Sequence, residues 1–167
     1  RTITHAMGEM AGVGLELRIA SGTYNRALGE TFPIYMKSGI SLSGVDRTAA
    51  VVQGDGTANL LHFASTTRFT TSTAIRGIKL TGGQSAVYID GTANPGTGPL
   101  IEDDWLTANI YGVWITAVNG GQVLGEIRGN LITGNSLGGV YQNVDRGMAQ
   151  SAVMIADNEI ADNTGDG

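Results

Sequence analysis

The chain has 167 residues, 26 of them glycine and none cysteine, and a formal charge of −5. This length suits one domain with a real core, the missing cysteines exclude a disulfide framework or a thiolate metal site, and no apolar run is long enough for a membrane helix. Residues 1–78 carry 7 basic and 5 acidic groups and residues 79–167 carry 3 and 10, so the halves are +2 and −7; without a basic stripe, a nucleic-acid partner is excluded.

In chain order, residues 2–11 place Ile3, Ala6, Met7 and Met10 on one helical face, with Thr2 or Thr4 as N-cap. This predicts a short helix capping one end of a larger assembly, with His5 on its surface. Leu15–Ile19 alternates as a strand does. Short strands are also predicted at 34–36, 40–42 and 50–52, separated by glycine turns.

This opening resembles a known family. The opening helix, Gly22-Thr23-Tyr24, Gly29-Glu30-x-Phe32-Pro33-Ile34, and Gly39 with Leu42 and Gly44 are similar to the start of pectin-lyase-like right-handed parallel β-helix proteins. Within them the chain is most similar to the domain of unknown function that opens many secreted bacterial β-helices. The resemblance implies a fold more than an activity, because the superfamily holds lyases, hydrolases, tailspikes and adhesins. It also implies an extracellular or cell-surface location.

Residues 60–74 form a less regular turn containing His62, read as a half-buried strand residue, and five threonines. The other coils do not repeat these threonines, so strand propensity explains them better than an ice-binding array. The Gly- and Pro-rich insertion Asp90–Pro99 lacks periodicity and is expected to leave the coil as a loop.

From Ile75 onward the chain repeats. Segments beginning at Ile75, Ile101, Ile127 and Ile155 share an Ile, an aliphatic five residues later (Leu80, Leu106, Ile132, Ile160), a Thr or Ala, then Gly or Asn; the starts are 26, 26 and 28 residues apart. Such a period signals a solenoid, whose turns bury their apolar side chains only against neighbouring turns. The fold class predicted is all-β, a right-handed parallel β-helix of about six coils roughly 4.8 Å apart. One domain over 1–167 divides into a cap at 2–11, irregular coils at 15–74 and regular coils at 75–167. Two polar columns are expected, a ladder of Asn109, Asn135 and Asn163 and a second of Asp104, Asn130 and Asn158. The ladder asparagines are expected at left-handed bends, bonding the rungs on both sides. The start at Arg1 and the stop at Gly167 within the template suggest a piece of a longer chain.

One cluster could carry chemistry: Glu102, Asp103 and Asp104 beside Trp105, Tyr111 and Trp114. Asp103 and Asp104 are candidate acid and base, or Ca²⁺ ligands; Glu102, Trp105, Tyr111 and Trp114 are candidate sugar-binding residues. Against a shared site, a strand sends adjacent side chains to opposite faces. The motifs of the superfamily's hydrolases are absent, and Arg128 is the sole basic residue between Lys79 and Arg146. The favoured reading is a non-catalytic scaffold or adhesive module with no required cofactor, whose candidate partners are polysaccharide and a second copy stacked end to end. The alternative is the N-terminal part of a polysaccharide lyase or glycoside hydrolase.

Overall fold

The computed structural model describes residues 2–93, 96–145 and 149–165. Arg1, Arg146, the middle of the 90–99 insertion and the end at Gly167 lie outside the described residues. Each turn of the chain lays one short strand on each of three parallel sheets. Sheet A stacks Leu15–Ile19, Ile40–Gly44, Ala74–Arg76, Leu100–Glu102, Glu126–Arg128 and Met154–Ala156. Sheet B stacks Gly22–Asn25, Ala50–Gln53, Lys79–Thr81, Trp105–Thr107, Leu131–Thr133 and Glu159–Ala161. Sheet C stacks Ile34–Tyr35, Leu61–Phe63, Ser85–Asp90, Tyr111–Ala117 and Gly138–Val144. Two faces with six rungs and one with five make about five full turns of a parallel β-helix, rather than six complete coils.

The core is made of columns. Leu17, Leu42, Ile75, Ile101, Ile127 and Ile155 occupy equivalent positions on sheet A. Tyr24, Val52, Leu80, Leu106, Ile132 and Ile160 do so on sheet B. The columns run through the first coils without a break at residue 75. What changes there is spacing, from 25 and 33 residues between Leu17, Leu42 and Ile75 to the steady 26 that makes the repeat visible. Ile75, Ile101, Ile127, Leu80, Leu106 and Ile132 are fully buried because each lies between like residues.

The first rung is covered by the helix Ile3–Glu9, which buries Ile3 and Met7. Thr2 is its N-cap, accepting from the His5 N–H. Glu30, buried, accepts from the backbone N–H groups of Ile3 and Thr4 and from the Thr4 hydroxyl. Glu30 thus satisfies donors that the first helical turn leaves open and ties the cap to the coil.

The insertion does not simply leave the coil. Residues 96–99 are buried, Thr97 bridges to Val123, and the Thr97 hydroxyl accepts from the Phe69 N–H at 3.3 Å. The glycines permit this, because a Cβ on Gly98 would sit 2.9 Å from the Leu124 backbone. At the other end of the coil, Met154, Ile155 and Ile160 are 51%, 43% and 39% exposed, where their counterparts one rung earlier are covered. Among the described residues, no helix is long and apolar enough to cross a membrane.

Candidate functional site

The corners between sheets position every candidate side chain. At the A–B corner, Gly77, Asp103, Gly129 and Asp157 have φ between 55° and 65°; at the B–C corner, Gly82, Ala108, Gly134 and Asp162 have φ between 54° and 73°. Each left-handed residue turns the chain, and the residue after it points inward as a ladder rung. The ladder asparagines are therefore one position past the left-handed bend expected for them, and hydrogen bonding selects them. At the B–C corner, the backbone N–H groups of Gly83, Asn109 and Asn135 donate to Oδ1 of Asn109, Asn135 and Asn163. The Nδ2 groups of Asn109, Asn135 and Asn163 donate back to the Leu80, Leu106 and Ile132 carbonyls at 2.9–3.1 Å.

The A–B corner repeats this pattern with Asp104, Asn130 and Asn158. The N–H groups of Ile78, Asp104 and Asn130 donate to Oδ1 of those three residues at 2.8–2.9 Å. Asp104 is completely buried, and burial pushes its carboxyl well above the usual carboxylate range.

The acidic cluster of the sequence is divided by the fold. Glu102 lies on the outer face of sheet A, where Arg76, Glu102 and Arg128 are register partners on successive rungs. Its two carboxylate oxygens each meet a guanidinium at 2.8 Å. Asp103 points outward at the corner and pairs with Arg47 at 3.1 Å. Both line a groove of about 840 Å³ that also presents Glu16, Arg18, Arg47 and Arg76. Asp104 faces the interior instead. Trp105 is on sheet B, with the Lys79 ammonium 3.7 Å from its ring centroid, while Tyr111 and Trp114 are on sheet C. No three His, Asp or Glu side chains converge on a cation position among the described residues.

Tyr111 and Trp114 belong to a feature that the sequence reading missed. Tyr35, His62, Tyr88, Trp114 and Tyr141 are register partners on five successive rungs of sheet C. The first four rings are 4.8–5.2 Å apart between centroids and tilted by 34–53°. Tyr111 stacks on Tyr141 at 4.9 Å and reaches Trp114 at 5.4 Å. The column's ends are its most open parts, Tyr35 at 58% and Tyr141 at 42% exposed. Burial lowers the pKa of His62, favouring a neutral imidazole between two phenol rings, and raises that of Tyr88. A signal for the column was available: Tyr88, Trp114 and Tyr141 follow Ile75, Ile101 and Ile127 by 13, 13 and 14 residues.

No curated protein and no solved structure matches this chain. A family profile does match, over residues 1–166, and its description is protein of unknown function (DUF1565). With nearly the whole chain covered and a parallel β-helix formed by it, the protein belongs to the DUF1565 family.

Proposed function

We propose that this β-helix is a non-catalytic adhesive scaffold, secreted or displayed at the cell surface, that holds extended carbohydrate along the aromatic column of sheet C. The observation carrying this reading is the column itself: five rings on five rungs of a rigid sheet, tilted so that part of each face is left for a ligand. Sugar C–H faces pack on aromatic rings, and an array repeating every 5 Å or so suits a polymer better than a single sugar. A non-catalytic role fits the divergence of the carboxylates. Glycoside cleavage needs two carboxyl groups on opposite sides of one bond, whereas Glu102 is engaged by two arginines, Asp103 by one, and Asp104 is inside the coil. Assembly with a second copy is part of the same proposal, since the exposed Met154, Ile155 and Ile160 and their strand edges can accept another coil.

A glycan array probed with the wild-type chain and with Tyr88→Ala and Tyr141→Ala, each with and without Ca²⁺, tests the reading. Binding to a polysaccharide that weakens in both variants is expected. Binding unaffected by both would remove the column from the function.

One observation favours the enzyme reading, in which the chain is part of a polysaccharide lyase or hydrolase: the groove brings Glu102 and Asp103 together with Arg18, Arg47 and Arg76. In that case the arginines would neutralise a uronic-acid carboxylate. Turnover lost in Asp103→Asn would identify it.

A further inference from the structure

The A–B ladder contains one chemical irregularity. Its second and third rungs are amides: Nδ2 of Asn130 donates to the Ile101 carbonyl at 2.9 Å and to Oδ1 of Asn158 at 2.9 Å, and Nδ2 of Asn158 donates to the Ile127 carbonyl at 2.8 Å. Its first rung is Asp104, whose Oδ1 keeps the ladder bond from the Ile78 N–H. The other oxygen, Oδ2, occupies the amide's place, is buried and has no hydrogen-bond partner. Ile75 and Ile101 are register partners, so the acceptor equivalent to the Ile101 carbonyl is that of Ile75, 29 residues back as Ile101 is from Asn130. The acceptor equivalent to Oδ1 of Asn158 is Oδ1 of Asn130. An ionised carboxylate has only lone pairs to turn toward these acceptors, whereas a protonated one has a hydroxyl donor.

We propose that Asp104 is a neutral carboxylic acid in the folded coil, its Oδ2 hydroxyl donating to the Ile75 carbonyl, so that a proton holds the turn beneath the Glu102–Asp103 groove. The surroundings favour that state. The charged groups facing Asp104 are Asp103 and Glu102 on its own coil and Arg47 from the loop 45–49; the adjoining rungs present a backbone N–H and an amide. Burial is the largest influence and raises the pKa, as do the two carboxylates; the Ile78 N–H and Arg47 oppose it. Ionisation removes the rung's donor and adds a third negative charge behind the groove wall formed by Glu102 and Asp103. Groove and turn are thereby coupled to pH.

The direction follows from linkage. Folded Asp104 holds its proton to higher pH than the unfolded chain, so its contribution to stability is complete below the unfolded pKa. It is lost as pH rises toward the folded pKa and changes no further above it. Across that interval, beginning near about pH 3.9, the folding constant of the wild type should fall about tenfold per pH unit relative to Asp104→Asn, which supplies a permanent donor. Denaturant unfolding of both proteins from acid to alkaline pH measures this ratio. The same pH profile in both would overturn the proposal. Carbon-13 NMR of the wild type gives a test that needs no variant to fold: the assigned Asp104 carboxyl carbon should keep its protonated shift at pH values where the other aspartates have ionised. Titration of that carbon in the ordinary aspartate range would also overturn it.

Discussion

The A–B and B–C corners of the coil are built from the same parts and differ at one atom. Both turn on a left-handed residue, and both follow it with a side chain that accepts from the preceding rung's N–H and reaches back to a strand carbonyl. At the B–C corner, Nδ2 of Asn109 donates to the Leu80 and Thr107 carbonyls and to Oδ1 of Asn135. At the A–B corner the equivalent atom is Oδ2 of Asp104, and it is unpartnered. The ladder is thus selected for donor pattern rather than for asparagine as such, and an acid can replace an amide where its proton is retained.

The largest effect is expected when a middle rung is removed. Asn135→Ala leaves the Asn109 N–H and the Leu106 carbonyl without side-chain partners inside the coil. At about 1–3 kcal/mol for each buried unsatisfied group, the loss should be about 2–4 kcal/mol in denaturant unfolding. Asn163→Ala, on the partly open last rung, should cost less than half as much, because water reaches the groups it frees. Equal costs would mean that the ladder is not what distinguishes covered from open rungs.

Next come the left-handed residues. Ala108, with φ of 54°, pays a steric penalty that glycine avoids, so Ala108→Gly should raise stability by about 1 kcal/mol. Gly134, its counterpart one rung on with φ of 66°, should lose a similar amount as Gly134→Ala, since its nearest neighbour to a new Cβ is 3.5 Å away and no clash is added. Opposite signs in thermal unfolding would assign the corner's cost to backbone conformation. Matching signs would refute that assignment.

The smallest effects belong to the outer face. Glu102 joins Arg76 and Arg128 across three rungs, but the two arginine side chains are 42% and 44% exposed. Glu102→Gln should therefore cost below about 1 kcal/mol, and the difference from wild type should shrink as salt is added. Asn119→Ala, at an exposed turn, should also cost below about 1 kcal/mol. A loss from Glu102→Gln as large as that from Asn135→Ala would place structural weight on the groove instead of the ladder.

How much of this was readable before the fold depended on how each column is written in the sequence. The Ile75 and Leu80 columns repeat one residue type at one spacing, so sheets A and B could be read from Ile75 onward. The same columns pass through Leu17, Leu42, Tyr24 and Val52, where loops of unequal length hide the period. The aromatic column mixes Tyr, His and Trp, so residue identity does not reveal it, although its offset from the repeat isoleucine does. The ion-pair column alternates Arg76, Glu102 and Arg128, an inversion of sign that no residue-by-residue match detects. The cluster at 102–105 shows the reverse: adjacency in sequence suggested one site, while a two-residue corner sends Glu102, Asp103, Asp104 and Trp105 in different directions. The state of Asp104 depends on complete burial and on its place in a column of amides. Sequence gave the column but not the burial.

The claim that the chain is non-catalytic is tested most directly by turnover. Purified protein is incubated with pectin, polygalacturonate and alginate from pH 5 to 9, with and without Ca²⁺, while unsaturated products and reducing ends are followed. No product above a protein-free control is expected at any pH, because no acid and base face one bond. Product formation by the wild type that disappears in Asp103→Asn or Glu102→Gln would contradict the scaffold and make the groove an active site.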